Sequence, residues 1–501
     1  MIRMFRLPVL PNLLALGLLV VLPGDATAAG QSCADDFEAL VAKVQENYAG
    51  YAIEVAGRRD AEHDALVERV RDRAAAAGSA EECIYALREY TAWFRDPHLF
   101  IGQFPAYDSA RLAALAATVE RVPLSRANAV ARFDGAPELD PIEGIWYDET
   151  TEIAVVPDTA AGPGEFLGVV VSSSSDSWRA GEVKARITRT NDRAYRVGLR
   201  MDDHTPRYIE GELYKDDLLL RLAPFAWGRR YPIRPHQEGL LHPFDPRAPQ
   251  LVVRSAEAIV LSIPSHDPKY RAALEALVRQ HAAALEGAPL LIVDLRGNEG
   301  GSSGTTRVLE PYYYSAARPD QSTPDTSKAA WPVVLASPAN LRAFERWKDW
   351  YSPEPEWLTT LLVELEQRTG ELVAFPGSRA TDRPPPARIS ENPGRFAVLV
   401  DRGVVSAGEA FVLEARRYDR VTVYGQPTGG SIDYQNVQML RLADEERGFV
   451  VGYPTLAASA TLPEGGHNGT GILPDVEIGP GVEDPIGFIL ASVRSAEPDA
   501  Q

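Results

Sequence analysis

Apolar and polar positions along the chain change period several times, and each change marks a change of element. Residues 34 to 95 repeat apolar positions at helical spacing, with breaks near Tyr48 to Ala56 and at Ala77-Gly78-Ser79, which predicts a small helical unit ending at FRDPHLFIG. From Gly144 to about Arg230 the pattern becomes short β-rich runs separated by turns, among them GIWYDETTEIAVV, FLGVVVSS, GEVKARITRT, AYRVGLRM and DDLLLRL. These predict a separate antiparallel β domain, a small barrel or sandwich.

After a Pro-rich joint around Tyr231 to Pro249, strand and helix patterns alternate. AIVLSIPS reads as a strand, KYRAALEALVRQHAAALEG as an amphipathic helix, LLIVDLRG as a buried strand and TTRVLEPYYYSA as a helix. FAVLVDR, SAGEAFVLEARRY and VTVYG repeat the series. Alternation of this kind predicts an α/β domain with a mainly parallel sheet covered by helices. The expected organisation is a leader over 1–28, a helical domain over 29–130, a β domain over 131–235 and an α/β domain over 250–495. Residues 315–393, rich in Pro, Trp and charge, read as an insertion in the last of these.

The leader reading rests on Arg3 and Arg6, the apolar run LLALGLLVVL and the small-residue site Ala26-Thr27-Ala28, the pattern of a signal peptide. It predicts export to the periplasm or medium, with no membrane span once the leader is cleaved. An uncleaved N-terminal anchor is the alternative. Cys33 and Cys83 are the chain's two cysteines, and in an oxidising compartment they are expected to form one disulfide. Neither lies in a CxxC pair, so no cysteine metal site is implied.

Composition narrows the function further. Of 501 residues 45% are hydrophobic and 24% charged, enough for sizeable cores. The net charge of −19 argues against nucleic acid as a partner. Oligomeric state is not encoded in any of these patterns.

Two loops carry the chemistry. In LLIVDLRGNEGGSSG a strand runs into Gly297, Gly300, Gly301 and Gly304, a loop that can turn backbone N–H groups toward a ligand. It lacks the Lys-Ser/Thr pair of a P-loop and the spacing of GxGxxG. In FAVLVDRGVVSAGEAFVLEARRY, Ser406 stands where a helix begins after a strand and a turn. A serine there serves either as an N-cap or as a nucleophile beside the helix dipole, with Ala407 N–H placed to donate.

DLRGNEGG, VVSAGEAF, GQPTGGSIDYQ and GTGILPDVEI, in that order, resemble the successive blocks of the tail-specific and tricorn-type peptidases, the S41 serine peptidase family. The resemblance spans roughly residues 250 to 490 and implies a ClpP/crotonase-like catalytic core, Ser406 as nucleophile, oxyanion donors on the backbone of Ala407 and Gly300, and no cofactor or metal. Where the tail-specific branch has its lysine this chain has Ser431, with Gln435 following. The tricorn-like branch uses a histidine from an Asp-x-His block, which Asp96-Pro97-His98 resembles, so His98 is the expected general base. His266 and His467 are rivals.

The glutamate of that branch corresponds to Glu464 or, in another alignment, Asn468, and the neighbouring serine is replaced by Pro97. Thr428, Gly429 and Gly430 are expected in the cleft wall. The β domain lacks the carboxylate-binding loop of the PDZ domain found in many members. The expected activity is hydrolysis of peptide or protein substrates through an acyl-enzyme. The alternatives are an inactive peptide- or glycan-binding protein of the same fold, and an esterase using the same serine.

Overall fold

A computed structural model describes residues 32–318, 332–375 and 386–495. The proposed leader lies outside these residues, as do parts of the 315–393 segment.

Helices α1 (Cys33–Asn47), α2 (Asp60–Ala76) and α3 (Ala80–Ala92) form the N-terminal unit. Ser32 and Ser79 cap α1 and α3, their hydroxyls accepting the Asp35 and Glu82 N–H groups. The expected disulfide joins Cys33 to Cys83, the first turns of α1 and α3, with Cα atoms 5.7 Å apart. A π-helical turn over Tyr51–Val55 occupies the first break in the pattern.

This unit does not stand alone. Phe37, Leu40, Val44, Leu87 and Tyr90 share one core with Leu99, Ile101, Val333, Phe449, Val451 and Tyr453. Apart from Leu99, the latter residues belong to a five-stranded sheet of β1 (Phe100–Gln103), β13 (Val333–Leu335), β14 (Leu372–Ala374), β17 (Tyr434–Arg441) and β18 (Phe449–Ala457). Strands before and after the β domain and the α/β segments thus meet in one layer. Helices α9 (Pro338–Glu345) and α10 (Glu356–Gln367), between β13 and β14, cover it with a cluster around Phe344, Leu358, Leu361 and Val373.

Two short helices, α4 (Ser109–Ala117) and α5 (Arg126–Gly135), lead into the β domain. Its eight strands form a closed barrel: β2 (Gly144–Tyr147), β3 (Thr151–Pro157), β4 (Glu165–Ser173), β5 (Val183–Arg189), β6 (Ala194–Arg200), β7 (Pro206–Tyr214), β8 (Leu219–Leu222) and β9 (Phe225–Tyr231). Each pairs antiparallel with the next, and β9 closes on β2. Alternate residues, including Trp146, Val155, Phe166, Ile187, Val197, Leu220 and Trp227, fill the interior.

The α/β domain is built on a six-stranded sheet in the order β10 (Gln250–Val253), β11 (Ala258–Ser262), β12 (Leu290–Asp294), β15 (Arg395–Val400), β16 (Val421–Gly425) and β19 (Val476–Glu477). All neighbours are parallel except β10 and β11. Helices α6 (Arg271–Gln280), α7 (Ala282–Gly287), α8 (Glu310–Tyr313), α11 (Ala407–Ala415) and α12 (Pro485–Ser495) belong to this domain. Because its strands are covered on both faces, they read as continuous apolar runs, as in LLIVD and RFAVLV.

The barrel is bolted to this core by charge. Lys215, Asp216 and Asp217 in the turn between β7 and β8 all hold positive φ, 54°, 55° and 66°. That turn sends the fully buried Lys215 to Asp294 Oδ2 at 2.7 Å and Ser262 Oγ at 2.8 Å, at the ends of β12 and β11. Arg296 grips the same carboxylate through Nε at 2.9 Å and also pairs with Asp216. Burial opposes the ionised carboxylate, but Arg296 and Lys215 together hold Asp294 well below the usual carboxylate range.

Candidate active site

Strand β15 ends at Val400, and the turn Asp401 to Val405 delivers Ser406 to the N-terminus of α11. Ser406 has φ 54° and ψ −119°, a conformation that costs a non-glycine residue about 1–3 kcal/mol and persists only where its surroundings enforce it. Three loops do so. Asp401 Oδ1 accepts the N–H groups of Gly297 and Gly403, each at 2.9 Å. Val405 N–H donates to Asn298 C=O at 3.0 Å, and Gly429 N–H to Val404 C=O at 2.8 Å.

Glu409, one turn into α11 and fully buried, gathers the rest. Its Oε2 accepts the N–H groups of Ser406 at 3.1 Å and Ser431 at 2.7 Å. Its Oε1 accepts Gly430 N–H at 2.8 Å and the Thr428 hydroxyl at 2.6 Å. Ser431 Oγ accepts Ser406 N–H as well, at 2.9 Å. Thr428 and Ser431 thus build the floor beneath Ser406. Gln435 turns back to Ile432 C=O and is exposed. Glu409 lay in plain view inside VVSAGEAF, where its charge among apolar neighbours was the available signal.

The glycine-rich loop lies directly against the serine. A Cβ on Gly300, whose φ is +81°, would stand 2.7 Å from Ser406 Cβ and 3.3 Å from Ala407 N. Only glycine leaves that space open. Ala407 N–H opens α11 and makes no intrahelical bond, as expected of a first-turn amide. Gly300 N–H is donated to Asn298 Oδ1 at 2.9 Å, whereas Gly301 N–H has no hydrogen-bond partner among the described residues.

The histidines fall in different places. His98 follows the N-terminal unit; its N–H donates to Asp96 Oδ1 at 2.9 Å, and its ring, 12% exposed, faces the backbone of Tyr434. Tyr434 lies three residues beyond Ser431, so one short segment touches both Ser406 and His98. Burial pushes the His98 ring down to about 4, so it is neutral at ordinary pH. Asp96, fully buried, is pushed up to about 7 by burial, against hydrogen bonds from His98 N–H and the Tyr48 hydroxyl at 2.9 Å. Tyr434 in turn bonds Glu54 of the π-helical turn.

His266 is fully buried beside the glycine loop, its Nδ1 2.9 Å from Asn298 Oδ1. The backbone of His467 is tied to Asp433, which accepts the N–H groups of His467 and Asn468 at 2.8 Å. Glu464 is exposed and its side chain makes no hydrogen bond among the described residues. The side-chain nitrogen and oxygen of Asn468 are both buried and unpartnered. Among the described residues no histidine is hydrogen-bonded to the Ser406 hydroxyl, and no cluster suited to a metal ion occurs.

Residues 351–478, which contain Ser406, Glu409 and the Thr428–Ser431 floor, match the model of peptidase family S41. The segment that carries Ser406 is thus similar to the S41 peptidases, a family of serine-type peptidases. No curated protein matches the chain. Among solved structures the chain is similar to mature CPAF complexed with lactacystin, at 11% identity and a TM-score of 0.45 over 92% of this chain and 98% of that one. It is similar to a putative peptidase from Parabacteroides merdae at 13% identity and a TM-score of 0.39, covering 94% and 99%. It is also similar to the tricorn protease at 12% identity and a TM-score of 0.37, covering 93% of this chain and 36% of that one.

Proposed function

We propose that this protein is an exported peptidase that hydrolyses peptide bonds through an acyl-enzyme on Ser406. The observation that carries the reading is the enforced backbone of Ser406 at a helix N-terminus, with the glycine-rich loop in contact with it. The serine attacks the substrate carbonyl, and Ala407 N–H and an amide of the Gly300–Gly301 segment take the oxyanion. Gly301 N–H is free for this; Gly300 N–H would first have to leave Asn298 Oδ1.

His98 is the proposed general base, taking the Ser406 proton and returning it to the leaving amine. Its neutral ring supports this, as does its place against Tyr434, close in sequence to the Ser431 that binds Ser406 N–H. Catalytic hydrogen bonds are often long or poorly aligned before substrate binds and tighten only in the complex. Asn468, with its buried and unpartnered amide, suits a positioning role better than exposed Glu464. The disulfide and the leader pattern support export.

Fluorophosphonate labelling tests the reading. The folded wild type is expected to label at one site, Ser406→Ala not at all, and His98→Ala at least a hundredfold more slowly. A folded wild type that resists labelling would instead favour a binding protein that has kept the fold. Equal labelling of His98→Ala would remove His98 as the base.

A further inference from the structure

Strands β11 and β12 end side by side, and the residues that follow them converge on one side chain. Asn298 Nδ2 donates to Ile263 C=O at 2.6 Å. That bond orients the amide, so Oδ1 is the acceptor for its other two contacts, His266 Nδ1 and Gly300 N–H, both at 2.9 Å. An acceptor-only oxygen requires His266 Nδ1 to carry the proton, which leaves Nε2 as a bare lone pair. This Nε2 is buried without a partner, in a ring whose centroid lies 6.3 Å from that of Phe411 in the apolar core.

The backbone of His266 continues the same grip. Its N–H donates to Gly300 C=O at 2.8 Å, and its C=O accepts Ser302 N–H and the Thr305 hydroxyl, both at 2.8 Å. On the other side Asn298 C=O holds Val405 N–H, and a Cβ on Gly408 would approach Asn298 Oδ1 to 3.0 Å. Apart from the anchor on Ile263, the side-chain hydrogen bonds of the pair and the backbone bonds of His266 all end on the glycine loop, and Asn298 C=O reaches the turn that carries Ser406.

We infer that His266 and Asn298 are positioning residues that lock the Gly300–Gly301 segment against Ser406, and that His266 takes no proton from the serine. The inference rests on Ser406 being the nucleophile. What the pair needs from position 266 is one N–H donor at the site of Nδ1, and nothing from Nε2. Burial of the neutral ring agrees with this, since a proton on Nε2 would meet no acceptor.

Asparagine at 266 offers its amide N–H near the place of imidazole Nδ1, and leucine offers none. His266→Asn is expected to label with fluorophosphonate within about threefold of wild type, with an unchanged pH profile. His266→Leu is expected to fall by about 10- to 100-fold while unfolding cooperatively. Amide hydrogen exchange at Gly300 is expected to be faster in His266→Leu than in His266→Asn, whether or not the protein labels. Should His266→Leu not fold, His266→Gln, whose amide lies nearer the place of Nε2, takes its part.

His266→Asn falling together with His266→Leu, losing the pH dependence, or failing to fold would each overturn the inference, as would equal exchange at Gly300. Failure of the wild type to label, with the exchange difference intact, would count against Ser406 as nucleophile and leave the lock standing.

Discussion

Glu409 Oε2 accepts the backbone N–H of Ser406 at 3.1 Å, so a buried carboxylate three residues along the same helix holds the backbone of that serine. Both its oxygens face donors: Ser406 and Ser431 N–H on one, Gly430 N–H and the Thr428 hydroxyl on the other. Glutamine at 409 turns an NH2 group against N–H donors whichever way the amide lies. Glu409→Gln is therefore expected to cost about 2–3 kcal/mol in urea unfolding and to slow fluorophosphonate labelling.

Gly300 tests the contact between the glycine loop and Ser406. Gly300→Ala places a methyl 2.7 Å from Ser406 Cβ in a backbone region that penalises it. Labelling is expected to drop at least about a hundredfold, for about 1–3 kcal/mol lost in stability. Full activity in this variant would separate the glycine loop from the reaction.

Asp96 and His98 shift in opposite senses, which gives stability a readable pH dependence. The folded pKa of Asp96 is raised from 3.8 to about 7, so its contribution is present below 3.8 and is lost as pH rises toward 7. His98 and His266 are lowered from 6.5 to about 4, so their contributions are present above 6.5 and are lost as pH falls toward 4. Between pH 4 and 6.5 Asp96 thus offsets one histidine. In Asp96→Asn the unfolding free energy is expected to climb more steeply with pH over that window, by up to about 1.4 kcal/mol per pH unit. Parallel curves for the two proteins would refute the shift at Asp96.

The Cys33–Cys83 bond closes a loop across a sequence separation of 50 and ties down the start of the helical unit that leads to His98. The double variant Cys33→Ala/Cys83→Ala is expected to lose about 4 kcal/mol on the chain-entropy model, read as a lower urea midpoint. Wild type in a reducing buffer is expected to match it.

Local signals were legible and distant pairings were not. Strand, turn and glycine patterns located Ser406, Gly300 and the barrel strands, because each depends on neighbours a few residues away. Val333–Leu335 and Leu372–Ala374 read as parts of an insertion, yet both are strands in the sheet of β18, a pairing no local period reveals. The bond between His266 and Asn298 escaped for the same reason, since it forms only when β11 and β12 align in parallel. The tie from His98 through Tyr434 to Ser431 likewise joins segments brought together by folding alone.

The lysine that the barrel buries beside Asp294 bears on modularity. Excising the barrel, or exchanging it for another recognition module, would remove half of the cationic partnership of a carboxylate sealed inside the catalytic core. A transplant would succeed only if it supplied a cation at the same depth or if Asp294 changed with it. Descent and engineering alike must therefore treat the barrel and the sheet ends beneath it as one inherited unit, whatever the barrel's surface comes to recognise.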